Sequence, residues 1–253
     1  MRYLRRRYLI ATAAAWSSLS VGTPPAAAAT LGWTAAPVTG VDDVRTDGTL
    51  LYAFDFAGQA FEDEGRTVEL NGVPFASENV NPGALNGTGG GQLKLLNFDR
   101  GVNDLYRSDD PPFADLPDAY QTLLTGAKYQ AAAPSQAQPT LQLTGLRAGT
   151  RYVVQIWGSD PRGTGSDRHL MLAGGGDRRI DLNLDPENAE GGLPAFATAE
   201  FVADGPTQDV VIDGGVSVNV AALQVRRLPA DAEDADDTRR PDDGNNGDAG
   251  EPQ

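Results

Sequence analysis

Cysteine is absent from the 253 residues. Its absence removes a disulfide scaffold, a thiolate metal site, a cysteine nucleophile and a lipid-modified N-terminal cysteine together. Histidine is nearly absent too: His169 is the only one, so no H-E-x-x-H metal motif exists. A G-x-S-x-G elbow and a P-loop are also missing. Positive charge is scarce, with 20 Lys and Arg against 35 Asp and Glu and a formal net charge of −15. Binding to nucleic-acid phosphates, which rests on Lys and Arg neutralising the backbone, is therefore not expected. Long apolar runs are lacking as well. The longest candidate lies near the start and falls short of the roughly 20 residues a bilayer requires.

The N-terminus carries Arg2, Arg5, Arg6 and Arg7, then Tyr8-Leu9-Ile10 and an Ala-rich run to Ala15. Thr23-Pro24-Pro25 interrupts that run, and Ala27-Ala28-Ala29 supplies an A-x-A cleavage pattern. This order predicts a secretory signal peptide over 1–29. Arg5-Arg6-Arg7-Tyr8-Leu9 also resembles a twin-arginine signal, without the usual preceding Ser or Thr, so the export route stays open. Removing the four signal arginines takes the charge from −15 to −19. Such acidity favours solubility and weak attraction for cations or basic partners. At the other end, 229–253 has almost no large apolar residues and nine acidic ones against Arg239 and Arg240. That composition predicts a disordered acidic tail. The tail holds no hydrophobic segment, so no membrane anchor is expected after signal cleavage. Between them, 30–228 has the size of one sandwich domain with its own apolar core, exported to the periplasm or the exterior.

Within that region the strongest periodicity runs from Pro139 to Arg162. Leu141 and Leu143 share one strand face, Gly145, Gly149 and Thr150 mark a turn, and Tyr152, Val154 and Ile156 share a face of the next strand. Leu146, Gly149-Thr150 and Tyr152 read as a tyrosine corner, in which the Tyr hydroxyl bonds to backbone a few residues upstream. Leu31–Thr39 reads as a first strand or an ordered arm, and other strands are expected at Thr49–Phe56 with Leu50, Tyr52, Phe54 and Phe56 on one face, at Gln92–Phe98, and at Arg168–Leu172. Further ones are expected at Arg179–Leu184, Phe196–Val202, Thr207–Asp213 and Val216–Val225, the last changing face near Ala221 as at a bulge. Asn71-Gly72 predicts a type I′ hairpin pairing Leu70 with Val73 and Val68 with Phe75. Pro74 then belongs at a sheet edge. Asp118–Tyr129 reads as a short helix with Tyr120, Leu123 and Leu124 on one stripe. The stretch Ala76–Pro117 is too long for an ordinary connection and is either functional or holds further strands. Together these predict an all-β, antiparallel, jelly-roll-like β-sandwich with one short helix.

The Thr49–Phe56 run, the Val68–Phe75 segment, Tyr120–Tyr129 and Leu141–Arg162, in this order, resemble a group of mostly uncharacterised bacterial secreted proteins. Their domain is a galactose-binding-like, jelly-roll sandwich. The resemblance spans most of Leu31–Leu228 and rests on structural rather than chemical motifs. It implies a carbohydrate-binding or cell-surface role, by analogy of fold. The corner alone also looks like a fibronectin type III junction, but such a module is only about 100 residues.

Sugar recognition needs an aromatic platform beside carboxylate, amide or guanidinium groups. Trp157 is out of phase with Tyr152, Val154 and Ile156, and it precedes Gly158-Ser159-Asp160-Pro161-Arg162. Two readings are open. Trp157 with Asp160, Arg162 and the following Arg168 and His169 forms a ligand site. Alternatively, Trp157 is a core residue of the second sheet face and Asp160–Arg162 a turn ion pair. Tyr106 and Arg107 are a further candidate. His169 alternates with Met171, as a structural or surface residue would. No cofactor is expected. Asp181, Asn183, Asp185 and Glu187 have the spacing that opens an EF-hand, yet Pro186 replaces its glycine and Gly192 its bidentate Glu. That motif fails, and a structural Ca²⁺ in a loop stays open. The expected function is non-catalytic binding of a glycan or extracellular matrix. The alternative is a structural or protein-interaction module of the cell envelope. A polysaccharide-acting enzyme comes third, because two carboxylates at glycosidase spacing are expected by chance among 35.

Overall fold

The alternation of the sequence becomes strands wherever one face finds a partner sheet. A computed structural model describes residues 29–56, 66–77, 84–86, 92–98, 100–102, 113–131, 138–158, 168–175, 179–182, 194–215 and 217–230. In chain order the strands are β1 (Gly32–Pro37), β2 (Thr49–Asp55), β3 (Thr67–Leu70), β4 (Val73–Ser77), β5 (Ala84–Asn86), β6 (Gln92–Leu96), β7 (Arg100–Val102) and β8 (Ala127–Ala131). They continue as β9 (Thr140–Thr144), β10 (Arg151–Gly158), β11 (Arg168–Ala173), β12 (Arg179–Asp181), β13 (Ala195–Val202), β14 (Thr207–Gly215), β15 (Ser217–Val220) and β16 (Ala222–Arg227). A 3₁₀ turn at Val41–Asp43 and one helix, α1 (Asp118–Thr125), complete the described elements.

Seven strands form one sheet in the order β1-β13-β10-β16-β2-β4-β3, and six form the other as β12-β11-β14-β9-β6-β5. A small third sheet runs β15-β8-β7. Pairing is antiparallel except between β2 and β4, which run parallel at Phe54–Ala76 and Asp55–Ser77. The chain is therefore an all-β sandwich with one short helix.

Strands β9 and β10 belong to opposite sheets. Leu141 and Leu143 from one and Tyr152, Val154 and Ile156 from the other meet in the shared core, each 0–1% exposed. The tyrosine corner forms as expected: the Arg147 backbone N–H donates to the Tyr152 hydroxyl at 2.9 Å. Gly149, at φ +76°, takes the left-handed conformation the turn requires. The β3–β4 hairpin also has its expected register, Leu70 opposite Val73 and Val68 opposite Phe75, with Asn71 and Gly72 at positive φ.

Several expectations need correction. Strand β2 does not alternate cleanly. Tyr52 and Phe54 face the sandwich core with Leu51, while Leu50 and Ala53 face outward. A register irregularity against β16 inserts the extra residue. Pro74 is not on an edge strand, since β4 lies between β2 and β3. It is tolerated because pairing with β2 begins only at Ala76. The helix stops at Thr125, where Gly126 is extended, and Ala127–Ala131 is a strand. The face change near Ala221 is a break between β15 and β16, which join different sheets, rather than a bulge in one strand. Gly214 and Gly215 end β14. The stretch Ala76–Pro117 holds β5, β6 and β7. Residues 1–28 of the expected signal segment and the expected tail from 231 onward lie outside the described residues.

A second apolar cluster lies on the outer face of the seven-stranded sheet. Tyr120, Leu123 and Leu124 of α1 pack there on Val68, Leu70, Val73 and Phe75 of the hairpin and on Trp157. The helix earns its place by burial, because eight residues are too few for a stable helix in water.

Candidate functional site

Registers place the ends of β2 (Asp55), β4 (Ser77) and β10 (Gly158) beside the starts of β13 (Ala195) and β16 (Ala222). This end of the sandwich is the exit end. Strand β11 packs beside β15, the strand that leads into β16, so the backbone of Arg168 and His169 opens β11 at this same end. Asp160, Arg162 and Tyr106 lie outside the described residues, as do Asn183, Asp185 and Glu187. Asp181 ends β12.

Trp157 is not an exposed platform, and this corrects the first reading of it. Its side chain is 0% exposed. The indole Nε1–H donates to the Tyr120 hydroxyl at 2.8 Å. Phe75 meets the ring edge-on at 5.5 Å between centroids, and Phe196 lies tilted at 6.3 Å. The period-two phase that set Trp157 apart from Ile156 was correct. The face it points to is closed by α1, and a sugar ring has no access to an indole so enclosed.

The exit end also holds buried polar groups that were not singled out from sequence. Asp55, 2% exposed, accepts a hydrogen bond from the Ser77 hydroxyl at 2.8 Å. Lys128 and Asn219 on the small sheet are buried as well. An acid set between Phe54 and Phe56 in the aromatic run was the available signal for Asp55. Nothing marked Lys128, because Asp118–Tyr129 reads as one helix.

Further along the outer face of the same sheet, three strand residues clasp the loop before β2. Gln155 Nε2 donates to the Asp43 carbonyl (2.7 Å), and Gln155 Oε1 accepts from the Arg45 N–H (3.1 Å). Gln224 Nε2 donates to the Arg45 carbonyl (3.0 Å) and to Gln155 Oε1 (2.8 Å). Arg226 donates to the carbonyls of Thr46 (2.7 Å), Asp47 (2.8 Å) and Gly48 (3.2 Å) and to Gln224 Oε1 (3.3 Å). All three side chains are buried, and burial lowers the pKa of Arg226 from its usual value. Two glutamines and an arginine inside otherwise apolar strands were the sequence signal for this clasp.

The clasp presents a surface ion-pair set. Arg45 binds Asp47 at 2.7 Å and Glu200 at 3.0 Å, and Arg151 binds Glu200 at 3.2 Å. The hydrogen bonds from Arg45 hold the Asp47 carboxyl below its ordinary pKa, and they hold Arg45 firmly in its charged form. Beside them the outer face of β1 and β13 is open and polar. Thr34, exposed on β1, donates to the Thr198 carbonyl at 3.3 Å, and Glu200 and Val202 are exposed. Among the described residues, no group of three or more His, Cys, Asp or Glu is placed to hold a metal ion.

No protein-family model matches the chain, and no curated protein is similar to it. Solved structures with a resembling backbone include Bacteroides uniformis beta-glucuronidase 2 covalently bound to cyclophellitol-6-carboxylate aziridine, at 8% identity and a TM-score of 0.43. A second is Bacteroides uniformis beta-glucuronidase, at 9% identity and a TM-score of 0.45. Each likeness covers 70% of this chain and 18% of the other. A likeness this distant says nothing about activity.

Proposed function

We propose that the protein is an exported, non-catalytic β-sandwich module that attaches to a cell-envelope or matrix component through a broad surface rather than a small-molecule pocket. The burial of Trp157 carries this reading, because it removes the aromatic platform on which a sugar pocket would be built. The polar outer face of β1 and β13, walled by Arg45 and Asp47 and lined by Thr34, Thr198 and Glu200, supports it. Export rests on the basic start, the apolar run and the Ala-x-Ala pattern of the sequence.

A second reading keeps carbohydrate as the ligand, in line with the galactose-binding-like resemblance. It is favoured by the position of Arg168 and His169 at the start of β11, at the exit end of the sandwich. Recognition there would rest on hydrogen bonds to hydroxyls without ring stacking by Trp157.

One set of pull-downs separates the two. The protein is incubated with insoluble envelope fractions and purified polysaccharides, as wild type, Thr198→Trp and Arg168→Ala/His169→Ala. Loss of envelope binding in Thr198→Trp alone supports surface attachment. Polysaccharide binding lost only in Arg168→Ala/His169→Ala supports the glycan reading. Failure of the wild type to bind either material overturns both.

A further inference from the structure

The end of the sandwich opposite the exit carries an unusual share of positive charge for so acidic a chain. Arg147 lies in the β9–β10 turn, Arg151 starts β10, Arg226 and Arg227 close β16, and Arg45 stands in the clasped loop. Arg45 and Arg151 are matched by the carboxylates of Asp47 and Glu200. Arg226 is held by carbonyl oxygens and Gln224, none of which neutralises its charge. Among the described residues, Arg147 and Arg227 form no ion pair. Asp204 is exposed on the turn facing the β9–β10 corner, and Asp209 is exposed on β14 two residues in from the same end. Five guanidinium groups thus gather at this end, with Arg147 and Arg227 outside the ion pairs, while the chain as a whole has a net charge of −15.

The acidic segment of the chain starts at this same end. The Leu228 N–H donates to the Arg151 carbonyl at 3.0 Å, which fixes where the chain leaves β16. From Asp231 onward come nine acidic residues with only Arg239 and Arg240 against them. A segment tethered beside its target has an effective concentration in the millimolar range, so weak screened attractions suffice for association.

We propose that residues 231–253 associate in cis with the arginine-rich end, chiefly with Arg147 and Arg227. The interaction is a charge match without fixed geometry. It weakens as salt rises and the charges are screened.

The lack of cysteine makes the test direct. In the full-length chain Ala249→Cys gives a single nitroxide site, and paramagnetic broadening of backbone amides is read by NMR. Residue 249 is 21 residues past Leu228, so a random coil would put the label about 25 Å away on average. The expected result is broadening around Arg147 and Arg227 at about 20 mM salt, falling several-fold at about 500 mM, where the Debye length shrinks to a few Å. Arg147→Gln/Arg227→Gln, both outside the core, is expected to reduce the low-salt broadening to the high-salt level. Equal broadening at both salt concentrations, broadening centred elsewhere, or no response to the double substitution overturns the proposal.

Discussion

Trp157 and Tyr120 are joined by a 2.8 Å hydrogen bond from indole to phenol beneath helix α1. The bond ties the longest strand of the corner to the helix and satisfies a buried donor. Tyr120→Phe leaves the indole N–H without its acceptor and is expected to cost about 1–3 kcal/mol. Trp157→Ala empties the second cluster and is expected to cost about 3–5 kcal/mol. Urea denaturation monitored by circular dichroism measures both. If Trp157→Ala unfolds near the wild-type midpoint, the enclosure described for this residue is wrong.

Tyr152 anchors the crossing from one sheet to the other. Its hydroxyl accepts the Arg147 N–H at 2.9 Å, and its ring stacks on Phe201 at 5.8 Å. Tyr152→Phe keeps the ring and deletes only the acceptor. A loss of roughly 1–2 kcal/mol is expected, with faster amide exchange at Arg147. An unchanged exchange rate there would show that the corner is held by packing alone.

The legible parts of this fold were those where one local rule decides the outcome. Asn71-Gly72 forces a two-residue turn, so the β3–β4 register follows from the sequence. Leu141, Leu143, Tyr152, Val154 and Ile156 alternate because each faces the same core. What escaped depends on distant partners. Leu51 joins the core only through an irregularity against β16. Lys128 becomes a strand residue because β7 and β15 flank it. For Trp157 the phase was readable, but whether its face met solvent depended on α1, some 30 residues earlier in the chain. Arg168 and His169 are brought to the exit end by topology, while Asp160, Arg162 and Tyr106 lie outside the described residues.

Arg226 holds three successive loop carbonyls, those of Thr46, Asp47 and Gly48. Arg226→Met removes the fork while keeping much of its apolar stem, and is expected to cost roughly 2–4 kcal/mol. Arg226→Lys is expected to recover little, since one ammonium cannot reproduce the planar geometry. Hydrogen exchange should rise at Arg45, whose N–H is bonded to Gln155 within the same clasp. A lysine variant as stable as wild type would reduce Arg226 to a mere positive charge.

Gly48 lies against the last strand. At φ +74° its backbone is left-handed, and a Cβ added there would sit 2.3 Å from the Arg227 carbonyl oxygen. Gly149 has nearly the same φ, +76°, with open space around it. Gly149→Ala is therefore expected to show the conformational cost alone, about 1 kcal/mol. Gly48→Ala adds a backbone clash, and its expected loss is at least about twice as large. Equal losses in the two variants would mean that β16 yields freely at Arg227.

Two buried phenols are expected to make the fold less stable at alkaline pH. Burial raises the pKa of Tyr52 and of Tyr120 well above the ordinary tyrosine value, with the hydrogen bond from Trp157 opposing part of the shift at Tyr120. Both stay protonated in the folded state at a pH where the unfolded chain ionises, near 10. Above that pH the unfolded state binds fewer protons than the folded state, so stability falls as pH rises. Their contribution is complete below pH 10 and is lost as pH climbs toward their folded values. Absorbance at 295 nm should show a delayed, cooperative ionisation step that coincides with unfolding. Tyr52→Phe should make the decline of stability above pH 10 shallower. A single non-cooperative titration of all seven tyrosines near pH 10 would contradict the burial of this pair.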